Sequence, residues 1–168
     1  MRKYILLLFI LVFDLTFSQI AIDKTSVSNS SVSLEFGSQN KGLVLPWVTS
    51  AVAVVDVAEG TMIFDSADKK VKYYNGSWID LSVDATGTVD VSLQNGLKEE
   101  SDAKTTIGTL SNTPGILILE DHNKSMILPK VDAPNLNIIN PAPGMIVYDK
   151  QKKQLAVFNG SVWSFWKP

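Results

Sequence analysis

The second half of this chain repeats the first, and that duplication limits the fold more than any other feature of the sequence. Asn40-Lys41-Gly42-Leu43-Val44-Leu45-Pro46-Trp47-Val48 returns as Asn123-Lys124-Ser125-Met126-Ile127-Leu128-Pro129-Lys130-Val131. Gly60-Thr61-Met62-Ile63-Phe64-Asp65 returns as Gly144-Met145-Ile146-Val147-Tyr148-Asp149, and Tyr74-Asn75-Gly76-Ser77 before Trp78 returns as Phe158-Asn159-Gly160-Ser161 before Trp163. Apolar, glycine and turn positions recur, whereas the ionisable side chains that chemistry needs mostly do not. The repeat therefore describes construction before it describes activity.

Inside each copy the local signals agree on a β-meander. Thr61 to Phe64 and Met145 to Tyr148 are short apolar runs opened by glycine and closed by aspartate, as buried strands that end in turns are. Polar connections of hairpin length follow at Ser66 to Lys70 and Lys150 to Gln154. Val71 to Tyr74 and Leu155 to Phe158 are β-favouring, and Asn75-Gly76 and Asn159-Gly160 predict type I′ hairpin turns, whose two central residues need positive φ. A third strand through Trp78 to Leu81, or Val162 to Trp166, completes the meander. Upstream, Thr49 to Ala58 reads as a strand or a short helix, while Asp132 to Pro143, with three prolines, reads mostly as loop. Pro46 and Pro129 interrupt strand-like runs, so those runs lie on a sheet edge or bend there.

The expected fold class is all-β, with two tandem small β-meander units joined by a strand and turn connector. We assign residues 1–18 to a signal peptide, 19–30 to a mobile leader, 31–82 to the first unit, 83–114 to the connector and 115–168 to the second unit. The first segment has Arg2 and Lys3, an apolar run from Tyr4 to Phe13, and small residues before a cleavage point after Ser18, the order of a secretory signal. A membrane anchor needs about 20 apolar residues, and Asp14 ends this run short of that. No membrane span is expected after cleavage. Units of this size bury little surface alone, so either the two share a core or several chains assemble.

Composition excludes several classes of function. Residues 1–18 hold two of the 15 basic and one of the 17 acidic residues, which leaves a mature net charge of −3. That balance argues against nucleic acid as a partner, which is bound through clustered Lys and Arg. Lys69, Lys70 and Lys72, with Lys150, Lys152 and Lys153, form two small clusters that read as solvated turn charges. The chain has no cysteine, so disulfides, cysteine zinc sites, thiol catalysis and a cysteine-linked lipid anchor are all excluded.

Taken together, the blocks Lys41 to Pro46, Ala58 to Asp65 and Tyr73 to Trp78 resemble a repeat of secreted Bacteroidota proteins. Its usual form is close to KGLLLPRVT, then PAEGMIVYN, then YNGTAW. The same repeat precedes tail-fibre-like chaperone domains in longer surface proteins. This chain departs from it after the proline, where Trp47 and Lys130 replace arginine. The resemblance implies export to the periplasm or cell surface, a glutamine (Gln19) at the new N-terminus, and, in Asp65-Ser66-Ala67, an O-glycosylation candidate at Ser66.

No catalytic residue, metal site or cofactor is expected. His122, the single histidine, sits in a polar turn without a second histidine or a cysteine to join it. Motifs for acyl transfer, phosphate, dinucleotide or calcium binding are absent. Trp78 and Trp163 recur at one repeat position, as core-closing residues do, whereas Trp47 and Trp166 are the candidates for a ligand-stacking face. The leading expectation is a non-enzymatic exported structural or adhesion-type module of the cell envelope or surface. Its expected partners are copies of itself or other envelope proteins. The alternative is a carbohydrate-binding module that uses Trp47 or Trp166 on glycans.

Overall fold

A computed structural model describes residues 19–92, 94–98, 100, 103–108 and 110–167, and the expected signal peptide lies outside them. The described chain is almost entirely strand. It begins with β1 (Ile20–Ile22), β2 (Val32–Phe36), β3 (Leu43–Val44) and β4 (Trp47–Val48). After a 3-10 turn at Ala51–Ala53 come β5 (Met62–Asp65), β6 (Lys70–Tyr74) and β7 (Trp78–Asp80), and the connector holds β8 (Thr105–Gly108). The second half runs β9 (Leu117–Glu120), β10 (Ser125–Ile127), β11 (Lys130–Val131), one helical turn at Pro134–Asn137, β12 (Met145–Asp149), β13 (Gln154–Phe158) and β14 (Trp163–Trp166).

Each copy forms the expected meander, with one strand added. β5, β6 and β7 pair antiparallel in order, and β4 lies parallel beside β5. β12, β13 and β14 repeat this with β11. Further parallel pairs, β1 with β2, β2 with β10, and β8 with β9, stack the chain into solenoid-like coils. Within the leader, Ile20–Ile22 is a paired strand held against Leu34–Phe36.

The recurring aspartates are turn locks. Asp65 Oδ1 accepts the amides of Ala67 and Asp68 at 3.0 and 3.1 Å, and Asp149 Oδ1 accepts those of Gln151 and Lys152 at 2.9 and 3.2 Å. A carboxylate that replaces water on two turn amides is the Asx-turn device. Lys69 and Lys153 close the two turns at positive φ, 58° and 55°.

The Asn-Gly hairpins lie where the sequence puts them, with a different turn. Tyr74 faces Trp78 and Phe158 faces Trp163, so the loops hold three and four residues. Only the glycines adopt positive φ, 72° at Gly76 and 101° at Gly160, and neither asparagine does. A type I′ turn needs a two-residue loop, and these loops are longer.

Pro46 and Pro129 are switch points between sheets. β3 pairs antiparallel with β12 of the other copy, and β4, two residues later, pairs with β5 of its own. Likewise β10 pairs with β2 and β11 with β12. Proline cannot donate to a ladder, so a strand that changes partners can break there at little cost.

This crossing of strands gives the two copies a common core. Leu45, Phe64, Val71 and Leu81 of the first pack with Ile146 and Val157 of the second. A second cluster gathers Val131, Ile138, Met145, Val147, Ala156 and Phe158. Of the two routes open to such small units, a shared core is realised within one chain.

Candidate functional site

Parallel neighbours require the chain to cross back over its own sheet, and in both copies this crossover carries exposed aliphatic side chains. In the first, the 3-10 turn is anchored by buried Ala51, whose amide donates to Asp65 Oδ2 at 2.8 Å. Val52 and Val55 beyond that anchor are 91% and 75% exposed. In the second copy, buried Pro134 starts the helical turn and Ile138 is tucked into the core. Leu136 and Ile139 are left 76% and 84% exposed.

Isolated exposed aliphatics are ordinary; here a pair of them recurs on the crossover of each copy. The sequence reading missed these four residues. Their signal was present as large apolar residues in segments too short or too proline-rich to bury them.

The aromatic candidates divide. Trp47 is half-buried, tilted against Phe64 at 5.9 Å between ring centroids, and its indole N–H donates to the Pro143 carbonyl at 2.8 Å. That bond ties the first copy to the loop before β12. Trp166 is 45% exposed, and its N–H donates to the Leu81 carbonyl at 2.6 Å. The two candidates do not share a face through any contact with one another among the described residues. Trp78 packs edge-on against Tyr74 and Trp163 against Phe158, both partly covered. Ser66 is also partly covered, and its hydroxyl donates to the Val48 carbonyl at 2.8 Å.

Charge is used locally. Lys72 is buried rather than solvated, with Nζ 2.6 Å from Asp68 Oδ2 and 3.0 Å from Asp80 Oδ1. Burial opposes its charge, but the hydrogen bonds its ammonium donates to both carboxylates outweigh this and hold its pKa above the ordinary lysine value. Its side chain is nine per cent exposed, which corrects the expectation of a solvated turn charge at this position.

Glu35 is buried on β2, with Lys24 Nζ 2.7 Å from Oε1 and the Ser28 amide and hydroxyl each at 2.6 Å. Lys24 and then Ser28 hold its pKa down at about 2 against the cost of burial. His122 is exposed. Among the described residues no group of three His, Asp or Glu side chains is placed to hold a metal ion. No described helix is long and apolar enough to cross a membrane.

The copies are not equally covered. Asn159 is fully buried, giving its amide hydrogens to the Asp84 carbonyl and carboxylate and accepting from the Ser161 and Val162 amides. Its counterpart Asn75 is exposed. Gly144 lies against Phe64 and Trp47, while no atom stands within 4 Å of where a side chain on Gly60 would begin. The second copy is thus sheathed by the first and by the connector, and among the described residues the Gly60 and Asn75 positions of the first have no equivalent sheath.

A family model described as phage tail like trimerisation region matches residues 21–95 and 106–167, segments that each contain one copy of the repeat. Comparison with curated proteins and with solved structures gives no match. The all-β fold, the shared core and the exposed crossovers accord with a structural, oligomer-forming module. With both copies inside the matched segments, the chain belongs to the phage tail like trimerisation region family.

Proposed function

We propose that this chain is a non-enzymatic structural module that holds three copies of itself together in an exported, surface-located assembly. The observation that carries the reading is the recurrence of exposed aliphatics, Val52 with Val55 and Leu136 with Ile139, on the crossovers of both copies. Burying such side chains between chains contributes about 25 cal/mol per Å² removed from water, and within one chain the described residues leave them exposed. Membership of a trimerisation family supports three as the number of copies.

Export is supported by the signal-like order of residues 1–18 and by the resemblance to secreted repeats that occur beside tail-fibre-like domains. The test is light scattering on residues 19–168 at micromolar concentration. A mass three times that of one chain is expected, and a monomer overturns the reading. Fractionation of the native host, with N-terminal sequencing of the mature protein, tests export and cleavage before Gln19.

An adhesive or glycan-binding role would draw on Trp166, whose ring keeps an exposed flank while its N–H is committed to Leu81. Such a site offers a stacking face without the indole donor. Loss of glycan-array signal in Trp166→Ala is the result that would establish it.

A further inference from the structure

We propose that the copies join by strand addition, with Ser125–Ile127 of one chain pairing antiparallel to Thr61 and Met62 of the next, as Leu43–Val44 pairs with Met145 and Ile146 inside the chain. The inference rests on the oligomer reading above and specifies its joint.

The acceptor follows from the repeat. On β12, β3 covers the first half of one edge, with Val44 facing Met145 and Leu43 facing Ile146, and β11 covers the second half. On β5, the counterpart of β12, β4 covers only the second half, where Trp47 faces Phe64 and Val48 faces Asp65. Among the described residues no strand lies beside Thr61 and Met62 on that edge.

Alternate residues of a strand send their backbone groups to opposite sides. The Phe64 amide donates to the Pro46 carbonyl on the β4 side, so Met62, two residues earlier, turns its N–H and C=O to the uncovered stretch. An unpaired edge of this kind is a template for another strand.

The donor follows from the same correspondence. Ser125, Met126 and Ile127 stand where Gly42, Leu43 and Val44 stand in the first copy. β10 is an edge strand of its sheet, paired with β2 alone. Transferring the internal register places Met126 opposite Met62 and Ile127 opposite Thr61.

Two further contrasts lie at the same end of the first meander, where the Gly60 amide donates to the Tyr74 carbonyl. Gly60 is open where Gly144 is packed, and the Asn75 turn is open where the Asn159 turn is covered. What the first copy and the connector give the second, a neighbouring chain gives the first. Each chain then donates one strand and accepts one, a heterologous contact that ends only by closing into a ring or growing into a filament. A ring of three satisfies the family's stoichiometry.

The experiment uses engineered cysteines, for which this chain has no native background. The Leu45 amide donates to the Gly144 carbonyl beside the Val44 and Met145 pair, which makes that pair the non-hydrogen-bonded kind. Its Cα atoms are about 4.5 Å apart, within reach of a disulfide. Thr61→Cys and Ile127→Cys occupy the corresponding positions.

Co-refolding the two single variants and oxidising is expected to yield covalent dimers, and the double variant covalent trimers, both lost on reduction. A trimer by light scattering without these crosslinks overturns the strand addition and leaves the trimer standing. Crosslinks confined to single chains overturn it as well. A monomer overturns both readings. Amide exchange on the unsubstituted protein guards against variants that fail to fold: the Met62 amide is expected to be protected in the assembly and to exchange freely on dilution to monomer. Rapid exchange of Met62 in an intact trimer overturns the proposal.

Discussion

A Cβ placed on Gly144 would stand 2.7 Å from the Cβ of Phe64, and the glycine holds φ at +79°. Both the backbone and the neighbour therefore refuse a side chain. Gly96, at φ +84°, meets no atom of the described residues within 4 Å and isolates the backbone contribution alone. Gly96→Ala is expected to cost about 1 kcal/mol. Gly144→Ala is expected to cost about 1–3 kcal/mol more through overpacking against Phe64. Urea unfolding of the two variants measures the difference, and equal midpoints would contradict it.

Trp47→Phe keeps a ring against Phe64 but removes the N–H that serves the Pro143 carbonyl. A partly buried carbonyl left without its donor costs about 1–3 kcal/mol. Because the bond joins the first copy to the loop before β12, the loss is expected as lower overall stability in chemical denaturation. Unchanged stability would show that water replaces the indole fully.

Acid should weaken the fold through Glu35. Its folded pKa of about 2 lies below the ordinary 4.5, so the carboxylate stabilises the native state above pH 4.5 and loses that contribution as pH falls through 2. Glu35→Gln is expected to melt at a lower temperature than the unsubstituted protein at pH 7 and to converge with it near pH 2. Parallel melting curves across that window would exclude Glu35 as a source of the acid sensitivity.

Replacing Val52, Val55, Leu136 and Ile139 together by serine removes large exposed aliphatics without touching the core. Substitutions at such exposed sites usually change monomer stability by about 0.5 kcal/mol or less each. The variant is expected to keep its β circular dichroism and to dissociate at concentrations where the unsubstituted chain stays associated. An unchanged mass by light scattering would remove these residues from the interface.

The meanders were legible because their signals are local: apolar runs between Gly and Asp, and Asn-Gly at each hairpin. Turn type was not, since it depends on loop length, and register is set by packing across the sheet. Lys72 read as a turn charge because sequence gives its neighbours, Lys69 and Lys70, and not Asp80, which faces it across the β6 and β7 pair. Pro46 announced an interruption, but only tertiary pairing shows that β3 leaves for the other copy. The family likeness was legible as a likeness to tail-fibre-associated repeats, and the exposed crossovers were hidden by their valine-rich and proline-rich sequences. Trp47 was singled out as a ligand-stacking candidate; what the fold shows of it is the bond from its indole N–H to Pro143.

The break at Leu45-Pro46 has a mechanical consequence. A pull along this segment reaches β12 through Leu43 and Val44, and β5 through Trp47 and Val48. One continuous segment therefore links the ladders of both meanders.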